Sequence, residues 1–209
     1  MLEANRSLEW MAREPSWDQG LQAQVAELNA QLLELLRQRA QSTAADRETP
    51  ALAGLAPLLM QLAEPALQLL ARCPYLMLDA GFSRPACWEG AVHEAPRPRT
   101  DSWVAPAMAP DLLRRAVMLG WHLARANPYA ARICLGMTPQ CANLMARMRL
   151  RHLELLVEQQ AVPCHMRWED RPTVWRQLLE AAVAGPAGHL ETLQLRGLQL
   201  IAAEYRQPG

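Results

Sequence analysis

The feature that most narrows the fold is a dense run of helix stops and starts between residues 111 and 205. Asp111 is placed to cap a helix that runs to about Ala126, and Leu112, Ala116, Leu119 and Leu123 recur at the spacing of one helical face. Asn127-Pro128 ends it, because the residue before a proline is pushed out of the helical region. A short helix over 129–135 then stops at Gly136, a residue suited to the left-handed turn after a helix. Thr138 followed by Pro139 reads as a cap and a first helical residue, opening a helix to about Met148. Residues 150–159 form the next helix, with Leu150, Leu153, Leu156 and Val157 assigned to its inner face. Residues 161–168 look extended, 173–184 and 189–205 are helical, and Gly185-Pro186-Ala187-Gly188 separates those two. The chain therefore reads as all-α, a multi-helix bundle.

The first half is less sharply punctuated. Over 18–39, Leu21, Val25, Leu28, Leu32 and Leu35 alternate spacings of four and three, a heptad seam little longer than two repeats. That seam packs either against another helix of the same chain or against a second copy. Residues 40–50 are polar and read as a linker, with Thr49 and Pro50 as the cap and first position of the next helix. The apolar stretch 51–72 is expected to break at Pro57 and Pro65, and 76–82 reads as a short strand or extended turn. The proline-rich stretch 83–110 reads as a mostly irregular connection held down by Trp88 and Trp103. A boundary near residue 107 divides a helical N-terminal extension, 1–106, from a helical domain, 107–209.

Composition excludes several classes. One Phe and three Tyr are too few for a typical all-β core, and seven Trp supply most of the aromatic volume. Five Cys, odd in number and without C-x-x-C spacing, argue against a disulfide scaffold and against a zinc knuckle, so a reducing cytoplasm is the expected setting. No secretory leader is read at the N-terminus, and the apolar stretches fall short of the roughly 20 residues of a membrane span, so no membrane partner is expected. No nucleophile–base–orienter pattern is visible, so no enzyme, metal or cofactor is expected. Formal charge is zero overall, but 111–176 carries ten Arg against five acids, and the chain has no Lys.

One stretch carries a resemblance. Leu135-Gly136-Met137, then Ala142-Asn143-Leu144, then Leu150, Leu153 and Leu156, lead to Cys164-His165-Met166-Arg167-Trp168-Glu169-Asp170. Laid over 127–170 without a gap, these residues resemble the flagellar transcriptional regulator FlhD family, whose corresponding stretch reads C-H-aromatic-R-aromatic-D-D. The likeness extends more loosely over 111–205. It implies a helical, homodimeric regulator that works with an FlhC-like partner, the subunit that carries the zinc and much of the DNA contact, on flagellar promoters. It also implies partner and dimer surfaces at Asn127, Cys134, Cys164, His165, Met166 and Trp168. In the family the cysteine answering to Cys164 can bridge the two subunits, and 161–168 would pair with its own copy across the dimer axis. A thiol simply buried inside one subunit is the other reading. Two departures stand out: the first 110 residues are extra, and Cys134 stands where the family usually has Arg.

The helix–turn–helix look of 131–159 is followed by a basic comb, Arg147, Arg149 and Arg151. These can bind phosphates, or they can decorate a solvated face. Trp168 and Trp175 read as core residues. Two functions stay open at this level: a regulator subunit that reaches promoter DNA, and a protein-interaction module that kept the fold without DNA binding.

Overall fold

Six leucines in the 23-residue segment from Gln19 to Gln41 would be wasted on a narrow seam. The computed structural model, which describes residues 19–41, 50–93, 110–159, 162–186 and 188–204, shows a wider use of them. Helix α1 (Gln19–Gln41) buries the predicted Leu21, Val25, Leu28, Leu32 and Leu35, together with Asn29, Leu33, Leu36 and Ala40. That broad face is covered within the chain by α2 (Pro50–Gln61), α3 (Glu64–Ala71) and α5 (Pro110–Ala126). The seam is therefore an internal packing face and not a free coiled-coil stripe.

Pro57 does not break α2, contrary to expectation. Pro57 and Ala53 are both exposed, so the carbonyl left without its helical donor lies on the solvent side. The break falls instead at Leu62–Ala63, and Pro65 sits in the first turn of α3, where a missing N–H leaves nothing unpaired. Strand β1 (Leu78–Asp79) follows, then α4 (Ala86–His93), so part of the stretch expected to be irregular is helical. Trp88 anchors α4: it is fully buried, stacks on Phe82 at 6.0 Å, and donates from Nε1 to Gly81 O at 2.8 Å. Of the linker expected at 40–50, the ends 40–41 and 50 belong to α1 and α2, while 42–49, Trp103 and the boundary near residue 107 lie outside the described residues.

The second half follows its punctuation closely. Helix α5 begins at Pro110, so Asp111 lies in the first turn and not at the cap, still well placed for the helix dipole. Leu112, Ala116, Leu119 and Leu123 are buried on it. Asn127 does more than stop α5: its side chain accepts from Ala130 N at 3.1 Å and caps α6 (Pro128–Leu135). Gly136 closes α6 at φ +66°, with Met137 N donating back to Ala131 O and Gly136 N to Arg132 O. Thr138 caps α7 (Pro139–Arg147), accepting from Cys141 N at 3.2 Å. On α8 (Leu150–Glu158), Leu153, Leu156 and Val157 are buried, but Leu150 is 45% exposed. Leu150 is the first residue of that helix and overhangs the turn before it, so it misses the inner face. Strand β2 (His165–Met166), α9 (Pro172–Ala184) and α10 (His189–Glu204) complete the chain.

The described residues are mostly helical, and one buried cluster runs through both halves. The two strands pair antiparallel, Leu78 opposite Met166 and Asp79 opposite His165. Helix α9 of the second half lies on α2 and α3 of the first, while α4 of the first half lies on α7 and α8 of the second. No described helix is long and apolar enough to cross a membrane.

A single amide fixes the entry to β1. Fully buried Asn29 donates from Nδ2 to Ala71 O at 3.2 Å and to Tyr75 O at 2.9 Å, and accepts from Met77 N at 2.8 Å. Replacing it with Leu keeps the branching of the side chain and takes the amide away from four main-chain groups, Cys73 O at 3.4 Å being the fourth. Asn29→Leu is expected to lose about 3 kcal/mol of stability, because each buried polar group left unpaired costs roughly 1–3 kcal/mol. Urea unfolding of the two proteins measures it, and a loss below about 1 kcal/mol would show that water or a shifted loop replaces the amide.

Candidate functional site

Of the residues singled out in 164–170, Cys164, Met166, Arg167 and Trp168 are buried, His165 and Glu169 are partly covered, and Asp170 is exposed. Arg167 is 6% exposed. Its Nε donates to Leu76 O at 2.7 Å and its Nη2 to Leu135 O at 2.6 Å. Leu135 is the last residue of α6, so the cation sits at the negative end of that helix dipole. Arg167 N also donates to Met77 O at 2.8 Å, and Arg167 O accepts from Trp175 Nε1 at 2.6 Å. The guanidinium lies against Gly136, where a Cβ would come within 2.6 Å of Nη1. Gly136 is thus required for space as well as for its positive φ.

Trp168 adopts φ +57°, the left-handed region that side chains rarely occupy. Its ring meets Tyr75 edge-on at 5.4 Å, and its Nε1 donates to Glu204 Oε1 at 2.8 Å, which ties the end of α10 down. Trp168 and Trp175 are core residues, as the sequence implied. His165 is partly covered, with Nδ1 3.4 Å from Glu169 Oε2.

Within the expected extended segment, Met166 and His165 pair with Leu78 and Asp79 of β1 in the same chain. Cys164 and Met166 are 3% and 1% exposed within the chain. Burial pushes the Cys164 thiol up to about 12, with Asp79 adding to the effect. Cys134 is buried too, its thiol raised to about 11 by burial, and its carbonyl accepts from Leu76 N at 2.7 Å. Asn127 serves as a cap. The exposed large apolar residues of α6 are Tyr129, at 79%, and Ile133, on the side away from the buried Ala130, Ala131, Cys134 and Leu135. Their spacing of four in an eight-residue helix was the available signal for that outer face.

Arg147, Arg149 and Arg151 behave differently. They straddle the α7–α8 junction, all three are exposed, and among the described residues none has an ion-pair partner. A fourth arginine joins them through an aromatic bridge. Trp121 Nε1 donates to Met148 O at 3.1 Å, in the middle of the junction, and the exposed Arg125 guanidinium lies 4.7 Å from the centre of the Trp121 ring. Sequence reasoning missed Arg125 because it is one turn beyond Trp121 on a different helix. His152 is exposed beside them. The result is a positive, unpaired corner with no nucleophile in it and, among the described residues, no group of three or more acids, His and Cys able to hold a metal. Its chemistry is that of binding an anion at the surface.

Comparison with family models, with curated proteins and with solved structures returns no match.

The burial of Cys164 gives a direct test. At pH 8 its thiol is protonated and covered, so it reacts with iodoacetamide only through unfolding. Mass spectrometry of peptides from native chain is expected to show Cys164 and Cys134 unmodified, and both alkylated once urea is added. Rapid labelling of Cys164 in native protein would show that this segment opens.

Proposed function

We propose that the chain is a regulator subunit of the FlhD type, which meets promoter DNA through its basic corner and acts there with an FlhC-like partner. The observation that carries this reading is the α7–α8 junction, where Arg147, Arg149 and Arg151 stand exposed and without ion-pair partners among the described residues, joined by Arg125. Arginines held apart from carboxylates keep their charge available for phosphates. The residue-by-residue likeness over 127–170 supports the same reading and supplies the kind of partner. The junction lies between two short helices and not along one helix, so it suits contact with the phosphate backbone more than reading of base edges. Sequence selection then falls to the partner.

A second reading, an interaction module without DNA binding, is favoured by one fact: the acids and bases of the whole chain cancel. A stand-alone DNA binder is usually basic. Electrophoretic shift of duplex DNA at low salt separates the two. The regulator reading expects weak binding that falls steeply with salt. In the triple variant Arg147→Ala/Arg149→Ala/Arg151→Ala, the log–log salt slope should drop by about one for each phosphate contact removed, up to roughly three. Binding that is unchanged in the variant removes this corner from the site, and no shift with or without an FlhC-like partner favours the interaction module.

A further inference from the structure

The two halves repeat one another. Arg84-Pro85-Ala86-Cys87-Trp88 and Arg171-Pro172-Thr173-Val174-Trp175 share the pattern Arg-Pro-x-x-Trp. The structure uses both in one way. Arg84 N donates to Gly81 O at 3.0 Å and Arg171 N to Trp168 O at 2.8 Å. Cys87 N donates to Arg84 O and Val174 N to Arg171 O, each at 3.0 Å. Trp88 Nε1 closes back on Gly81 O, and Trp175 Nε1 closes back on Arg167 O, one residue further along. Gly81 and Trp168, at matching places in the two turns, both have positive φ, +74° and +57°. A left-handed residue is rare outside glycine, so its recurrence at the same step of the same turn is a specific signature.

The match extends backwards from these turns. At one constant separation, one residue shorter than that of the turns, Leu55, Leu59 and Leu62 correspond to Cys141, Met145 and Met148, and Leu67, Leu70 and Ala71 to Leu153, Leu156 and Val157, and all twelve are buried. Helix α1 packs on α2 and α3, as α5 packs on α7 and α8. Contacts between the halves also come in pairs, α9 on α2 and α3 against α4 on α7 and α8. The strand register completes the pattern. Measured from the two Arg-Pro steps, Leu78 answers to His165 and Asp79 to Met166, and the strands pair Leu78 with Met166 and Asp79 with His165. That is how a strand pairs with its own copy across a two-fold axis.

We infer that the chain is a fused pseudo-dimer, in which residues 19–93 are a diverged copy of the unit formed by 110–184 and fill the place of a second subunit. This rests on the internal geometry and is independent of the DNA reading. Each unit leaves one strand unpaired and one apolar helix face uncovered, and the other unit closes both. The copy has lost the basic corner: at the separation set by Leu62 and Met148, the places of Arg147, Arg149 and Arg151 hold Gln61, Ala63 and Pro65. Whatever binds that corner therefore meets it once per chain, where a symmetric dimer would offer it twice.

The test uses the full chain. Light scattering of the unmodified protein is expected to give the mass of one chain, 23.4 kDa, at concentrations from micromolar to hundreds of micromolar. In a second sample a six-residue protease site is inserted between His93 and Pro110 and cut. The two pieces should stay together as a one-to-one particle of unchanged mass. Halves that part on cutting overturn the inference, because neither would then be the other's partner. A two-chain mass for the unmodified protein overturns it as well, because each strand would then be free to find its mate in another copy.

Discussion

A buried guanidinium with no carboxylate partner among the described residues is held by main-chain carbonyls, and the way Arg167 is held joins the molecule's parts. Its side chain takes one carbonyl from the segment before β1, at Leu76, and one from the end of α6, at Leu135. Its own main chain pairs with Met77 and receives the Trp175 indole. Each hydrogen bond from a charged donor is worth about 1.5–3 kcal/mol, against a desolvation cost of several kcal/mol for the charge. The arrangement holds only while the carbonyls stay in place. Asn29 fixes the Leu76 side, by holding Tyr75 O and Met77 N, and Gly136 fixes the other, by ending α6 and leaving room for the guanidinium.

That clamp explains why the chain's chemistry divides into an inside and an outside. Residues 164–168 look reactive in sequence, with a thiol, an imidazole, a cation and an indole in five places. Folded, they are structural: the thiol is covered, the cation is bound by carbonyls, and the indole anchors α10. Exposed positive charge lies at the α7–α8 corner, where Arg147, Arg149 and Arg151 stand outside the core. A site on the surface of a tightly held double unit can change its arginines without disturbing the fold, and the first half, with Gln61, Ala63 and Pro65 there, has done so.

Much of the fold was legible because it is written in local rules. Thr138-Pro139, Gly136 and the apolar spacing of α1 and α5 each act within a turn or two, and each lands where those rules put it. In its local pattern Asn127 read as a stop because its neighbour is proline, although an Asn before Pro is also a good cap. Pro57 misled because whether a proline breaks a helix depends on which side of the helix meets solvent. The inward fate of Cys164 and Cys134 depends on segments far away in the chain, β1 for the one and Leu76 for the other, which no local pattern contains. The Arg-Pro-x-x-Trp repeat was visible in the sequence but is only three fixed residues long; the matching left-handed turns, Gly81 and Trp168, are what give it meaning. One of those two is a glycine and the other a tryptophan, so the backbone repeats where the side chains do not.

If the clamp makes one folding unit of the two halves, neither half can open without the other. Amide hydrogen exchange in the native protein tests this most directly. The amides of Leu76 and Arg167, which join the halves, and those of Leu32 in α1 and Val117 in α5, one from each half, are all buried and hydrogen-bonded. The account expects all four to exchange with a common free energy equal to that of global unfolding. Exchange at Leu32 and Leu76 several kcal/mol easier than at Val117 would contradict it, because the first half would then open on its own and leave the second folded.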